Sequence, residues 1–291
     1  MEKLEYKARA KVNLGLDVCG RLENGYHEVK MVMQTVDIYD ELVFKRRQDP
    51  DIILAVDSQD TLGDVSNNLI FRAAKLMKEY FSIKEGIEIY LKKNIPVAAG
   101  MAGGSTDAAA TMLAMNELFG LGKSKEQLME LAVRLGADIP FCIMGGTALA
   151  EGIGEKLTEL PAPQKAAILI AKPDIMVSTK DVYENLHLET VEKHPDIDGM
   201  IQALKDGSLR GVTDRMENIL ETVTIQLYPV IEEIKSFMKE HGAINALMSG
   251  SGPTVFGIYQ TEEEAKQAAA ALKETKKTRQ IIVTGFYNEE R

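Results

Sequence analysis

Cysteine is nearly absent. Cys19 and Cys142 form neither a C-x-x-C pair nor a metal-binding spacing, which argues against a disulfide framework and a thiolate metal centre. Long apolar runs are missing too. Nothing approaches the roughly 18 residues that a membrane helix requires, and no charged-then-apolar leader precedes the first strand. These absences predict a soluble, cytoplasmic protein with reduced thiols. Positive charge is in deficit, with 34 basic residues against 44 acidic ones and a net charge of −10. A nucleic-acid groove needs clustered Lys and Arg, and the short basic run from Lys273 to Arg279 reads as a solvated helix end. Small anionic ligands stay open, because solvent ions screen the global field beyond about 8 Å. Repeats, coiled-coil heptads and low-complexity segments are not visible. Neither is a familiar nucleotide motif: no G-x-G-x-x-G follows a strand, and Gly122-Lys123-Ser124 has Glu117 where a P-loop needs its first glycine.

What is present is ordinary globular material, 45% apolar and 27% charged over 291 residues, enough for one large or two modest domains without staples. From Leu4 to Val18 every even position is apolar or small, which predicts a strand with Lys7, Arg9, Lys11, Asn13 and Asp17 on the opposite face. Asn24-Gly25 is a hairpin-type turn signal. Ile70, Ala73, Ala74, Met77 and Phe81 mark one helix, and Leu128, Leu131, Ala132 and Leu135 another that Gly136 ends. A second domain is expected from residue 161, at Pro161 and Pro163, giving a division into 1–160 and 161–291. Within it a strand runs from Ala166 to Ala171 and a helix from Pro229 to Gly242, and the chain closes in the order β, β, α, β between Ile244 and Tyr287.

The most informative stretch is Pro96-Val97-Ala98-Ala99-Gly100-Met101-Ala102-Gly103-Gly104-Ser105-Thr106, which leads into an alanine track. A phosphate needs inward N–H groups, no side chains in the way, and the positive end of a helix behind them. The alternating strand Gly86 to Leu91 feeds the loop, and Ser105, Thr106 or Asp107 can cap the helix that follows. A tight turn with close helix–strand packing would use the same glycines.

Pro96-x-x-x-Gly100-x-x-Gly103-Gly104-Ser105-Thr106-Asp107-Ala108-Ala109 resembles the ATP-binding loop of the GHMP kinase superfamily. Lys11-Val12-Asn13-Leu14, Asn24-Gly25-Tyr26-His27, Gly136-Ala137-Asp138-Ile139-Pro140-Phe141 and Gly145-Gly146-Thr147-Ala148 are similar to further superfamily segments, as are Lys172-Pro173 with Val177-Ser178-Thr179, and Met248-Ser249-Gly250-Ser251-Gly252-Pro253-Thr254. The similarity covers nearly the whole chain in the right order. It implies a two-domain α+β architecture, an N-terminal ribosomal-protein-S5-like α/β domain and a C-terminal ferredoxin-like α+β domain, with the active site in the cleft between.

The resemblance also implies an enzyme that uses ATP and Mg²⁺ to phosphorylate a hydroxyl of a small cytidine-diphosphate-linked substrate on the non-mevalonate route to isoprenoid precursors. Neither nucleic acid nor membrane is an expected partner, and the protein is expected to be a monomer or weak homodimer. On the same resemblance Asp138 is the base, where the residues alone allow a loop cap. Lys11 is an active-site lysine, where a solvated strand face is the plainer reading. Tyr26, His27 and Tyr183 would hold the cytosine, with Asn13 and Thr179 also on the substrate. His27 is then expected to titrate near neutral pH and make affinity pH-sensitive between about 5 and 8. Ser105 or Thr106 is the candidate metal ligand, with capping as the alternative. Asn67 and Asn68 read equally as adenine neighbours or caps. Ala102 stands where many family loops have glycine, which is harmless only at negative φ. The alternatives are another small-molecule GHMP kinase and a non-catalytic nucleotide-binding relative.

Overall fold

The computed structural model describes residues 2–23, 25–58, 65–191 and 193–288; Asn24, half of the expected turn signal, lies outside the described residues. The chain packs as two compact units whose segments interleave, Met1–Ala10, Ile38–Val97 and Ala102–Met144 in one, and Lys11–Asp37, Ala98–Met101 and Gly145–Arg291 in the other. They interleave because two long paired strands, β1 (Lys3–Arg21) and β2 (His27–Arg47), each pass from one unit to the other partway along.

In the first unit, the later part of β2 (Glu41–Arg47) pairs antiparallel with β4 (Gly86–Lys92), and β3 (Ile52–Asp57) runs parallel to β4. Helices α1 (Leu69–Tyr80), α2 (Gly103–Leu118), α3 (Lys125–Ala132) and α4 (Ile139–Met144) complete it. The expected apolar positions Ile70, Ala73, Ala74 and Met77 join Leu42, Phe44, Ile87, Ile89 and Leu91 in one core, each large side chain contributing about 1.5–3 kcal/mol of burial. Asn68 caps α1, its side chain accepting the Ile70 N–H at 2.9 Å.

One local expectation is corrected. The helix expected to reach Gly136 ends at Ala132, and that glycine does not adopt positive φ. Proline disfavours helical backbone in the residue before it, yet Ile139 and Pro140 both lie in the first turn of α4, where the missing N–H of Pro140 has no intrahelical acceptor to lose.

In the second unit, Met31–Gln34 of β2 pairs with β5 (Thr147–Glu151), and β5 pairs with β6 (Lys156–Glu159). A separate four-stranded antiparallel sheet has the order β10-β7-β9-β8, formed by β7 (Ala167–Lys172), β8 (Asn245–Met248), β9 (Val255–Tyr259) and β10 (Gln280–Gly285). Helices α5 (Thr179–Glu184), α6 (Ile197–Lys205), α7 (Leu209–Thr213) and α8 (Glu221–Leu227) precede α9 (Val230–Glu240), which packs on β8 and β9, while α10 (Glu262–Glu274) packs on β7 and β10. The expected closing order of β, β, α, β is the observed one.

The odd face of β1 is the main departure at the start of the chain. Lys11, Asn13 and Asp17 are 5%, 0% and 8% exposed, so between Lys11 and Val18 this face is polar without being solvated, and it is exposed again at Cys19. Period 2 reports which side chains share a face, not what covers it.

Candidate active site

The glycine loop changes backbone hand residue by residue. Ala98, Gly100 and Ala102 have φ of 50°, 71° and 58°, while Ala99 and Met101 keep negative φ. Such alternation turns successive N–H groups toward one side, an anion-binding concavity. Ala102 therefore takes the demanding conformation, which costs a non-glycine residue about 1–2 kcal/mol. Its carbonyl accepts the Thr106 N–H at 2.9 Å and opens α2.

The expected caps fail. Ser105, Thr106 and Asp107 lie inside α2, and the N-cap residue, Ala102, makes no side-chain bond to the first turn. The N–H groups of Gly103, Gly104 and Ser105 precede the first intrahelical bond, so this end of α2 is left open to an anion.

Residues Ala98–Met101 lie against the second glycine loop, Ser249–Pro253, within the second unit. Ser249 Oγ donates to the Gly100 carbonyl at 3.0 Å, and a Cβ on Gly100 would stand 2.2 Å from the Ser249 carbonyl oxygen. Lys11 and Asn13 are brought to the same place. The Lys11 N–H donates to Met101 O at 3.2 Å, Lys11 Nζ donates to Asn13 Oδ1 at 2.8 Å, and a Cβ on Gly250 would lie 3.6 Å from Asn13 Oδ1. Burial removes the solvated-face reading of Lys11.

Asn218 was not singled out from the sequence. Its Nδ2 donates to the carbonyls of Met248 at 2.9 Å and Gly250 at 2.8 Å, and its Oδ1 accepts the Leu220 N–H, so one buried amide holds the second loop. The only signal was a lone amide next to the apolar pair Ile219-Leu220.

A second cluster in the same unit is aromatic. The rings of His27 and Tyr183 lie 5.1 Å apart, tilted by 36°. Tyr26 is 60% exposed, which excludes a core role. Ser178 caps α5 by accepting the Asp181 N–H at 3.2 Å, which sets the helix that carries Tyr183. The Thr179 and Ser251 hydroxyls meet at 2.7 Å, joining this cluster to the second glycine loop. Burial, aided by the charge of Arg21, lowers the His27 pKa from 6.5. The imidazole is therefore mainly neutral at pH 7, and the shift moves the expected titration toward acid.

In the first unit Asp138 is half-buried in the turn before α4, and its carbonyl accepts the Cys142 N–H at 3.1 Å. Cys142 is a free, partly covered thiol. Burial pushes the Asp107 carboxyl above the usual carboxylate range, Lys93 opposing and Asp40 adding to the shift.

A loop of alternating φ running into an uncapped helix end, on a mixed scaffold of helix and sheet, has the geometry that suits a phosphate-handling protein. The chain belongs to the GHMP kinases: the family model for the GHMP kinases N terminal domain matches residues 68–146 and that for GHMP kinases C terminal matches residues 183–278. Its relatives are more particular. A 4-diphosphocytidyl-2-C-methyl-D-erythritol kinase of Lachnospira eligens is 54% identical, covering 98% of this chain and 98% of the relative. One of Lachnoclostridium phytofermentans is 48% identical, covering 100% and 99%. Among solved structures, a 4-(cytidine 5'-diphospho)-2C-methyl-D-erythritol kinase aligns with a TM-score of 0.83 at 32% identity, covering 98% of this chain and 100% of the other.

Proposed function

We infer that the protein phosphorylates 4-diphosphocytidyl-2-C-methyl-D-erythritol with ATP, at its 2-hydroxyl, in the non-mevalonate route to isoprenoid precursors. The observation that carries this is the loop of alternating φ opening into the uncapped start of α2, in a chain 54% identical to such a kinase over nearly its full length. ADP release should be measured with the cytidyl compound, mevalonate, homoserine and galactose as acceptors. Activity on the cytidyl compound alone is the expected result. Activity on another acceptor would keep the phosphoryl transfer and discard the base-binding roles, and silence throughout would favour a binding protein.

In this reading Asp138 takes the proton of the acceptor hydroxyl as its oxygen bonds to the γ-phosphorus and the bond to the ADP oxygen breaks. Lys11 supplies positive charge for the transfer. Lys11→Ala is accordingly expected to lower turnover more than ATP affinity; the reverse pattern in steady-state kinetics would move the residue to nucleotide binding. Residues 96–106 hold the triphosphate. Asn13 and Thr179 contact the substrate, while Tyr26 and Tyr183 face the cytosine and His27 its edge.

Affinity for the cytidyl substrate is expected to stay constant from about pH 8 to about pH 6.5, the ordinary histidine value, and to fall only below it, as protonation removes the ring's acceptor nitrogen. Stability follows the same sign. The unfolded chain protonates first, so this contribution is present above the ordinary value and lost as pH falls. A binding titration whose loss is centred above pH 7 would remove His27 from the site.

Magnesium is proposed to arrive with the nucleotide. Among the described residues no cluster of His, Cys, Asp or Glu could hold a metal by itself, and the half-buried Ser105 or the buried Thr106 offers the single hydroxyl that suits an ion otherwise bound by phosphates and water. We further propose a cytoplasmic monomer or weak homodimer that uses neither nucleic acid nor membrane; among the described residues no helix is long and apolar enough to cross a membrane. Family domains at 1–160 and 161–291 are supported by the two family matches lying on either side of that boundary.

A further inference from the structure

Both ends of the glycine loop lead back to one buried carboxylate, that of Asp40 on β2. Ahead of the loop, Asp40 Oδ1 accepts the N–H groups of Asn94 at 2.6 Å and Ile95 at 2.8 Å, and its Oδ2 accepts the ammonium of Lys93. Beyond the loop, the same ammonium donates to Asp107 Oδ2 inside α2 at 2.9 Å. Lys93 Nζ also lies 3.0 Å from the place of a Cβ on Gly103, so it fills the space left open by the first residue of α2. The side chains of Asp40, Lys93 and Asp107 are 0%, 7% and 4% exposed.

Stability alone is a poor reason for this cluster. Buried ion triads are commonly no better than apolar residues of the same volume, and an ammonium beside a helix N-terminus opposes the helix dipole. Asp107 Oδ1 has no hydrogen-bond partner among the described residues, a further cost that an apolar core would avoid. What the cluster does achieve is to tie residues 93–95 to residues 103–107 across the loop. A loop with fixed ends has less freedom to lose when a ligand orders it.

We propose that Asp40, acting through Lys93, is a positioning residue that preorganises the nucleotide loop by joining its two ends before the phosphates arrive. The inference rests on the reading of this loop as the nucleotide site. Its test is calorimetric titration of ADP, and separately of CDP, into the wild type, Asp40→Asn and Asp107→Asn, at a temperature well below each melting point, with hydrogen exchange followed over residues 94–106.

Asp40→Asn is expected to weaken ADP about tenfold or more, since hydrogen bonds to a charged group are lost. CDP affinity should hold within about twofold, as for an independent site. Asp107→Asn is expected to show a smaller loss in the same direction, and exchange should quicken in both variants. A lowered melting point with unchanged ADP affinity would mark Asp40 as merely structural and overturn the proposal. If Asp40→Asn does not fold, unchanged affinity and exchange in Asp107→Asn would overturn it. A wild type that binds CDP but no ADP would instead reject the nucleotide reading, and the inference with it.

Discussion

Asp138→Asn is expected to lower turnover roughly 10²- to 10⁴-fold, the usual contribution of a positioned general base, with little change in stability. The bond that opens α4 comes from the Asp138 backbone, its carbonyl accepting the Cys142 N–H at 3.1 Å. An isosteric amide leaves that bond alone, keeps the size of the side chain, and removes its charge together with its ability to accept a proton. Single-turnover rates with the cytidyl substrate, beside thermal unfolding of the same preparation, separate the two effects. Full turnover in a normally folded variant would return Asp138 to the role of a turn residue, the reading its spacing alone allows.

Gly100→Ala is expected to damage both the fold and nucleotide binding. The residue sits at φ 71°, where a side chain costs about 1–2 kcal/mol. Steric overlap costs more, because the new Cβ would stand 2.2 Å from the Ser249 carbonyl oxygen, and backbone cannot swing aside as a flexible side chain can. Separating the loops would also break the 3.0 Å bond from Ser249 Oγ to Gly100 O. A loss of about 2–4 kcal/mol in unfolding free energy, in the range of overpacked sites, should accompany at least a tenfold loss of ADP affinity, about 1.4 kcal/mol. Gly104→Ala is the control for stability. A Cβ there meets nothing nearer than Leu69 Cδ1 at 3.4 Å and the residue does not adopt positive φ, so its unfolding free energy should match or exceed that of the wild type. Equal stability of Gly100→Ala and wild type in denaturant unfolding would show that the two loops are not in close contact.

How far the site could be read in advance differs from residue to residue. The glycine loop was legible because phosphate binding constrains residue type directly: small residues, then a helix. Lys11 and Asn13 were legible as neighbours, since residues two apart on a strand share a face. Their burial was not. The 60% exposure of Tyr26 was not legible, because an aromatic next to a turn has the same local signature in or out of a core. Asn218 and Asp40 were missed because each works through partners distant in sequence, residues 248 and 250 for the first and residues 93–95 for the second. No local pattern records such a pairing.

By itself the sequence determined the strand of alternating residues at the start, the helices with clear apolar faces, the closing order β, β, α, β and the glycine loop, because period, propensity and glycine content act over a few neighbouring residues. Tertiary structure alone decided that β1 is buried on both faces from Lys11 to Val18, that Ala102 takes a left-handed conformation, that α2 starts without a side-chain cap, and that the two packing units interleave. Each of these depends on what the rest of the chain brings against the segment. A residue accepts a polar burial or a strained φ only where contacts from elsewhere outweigh the local preference.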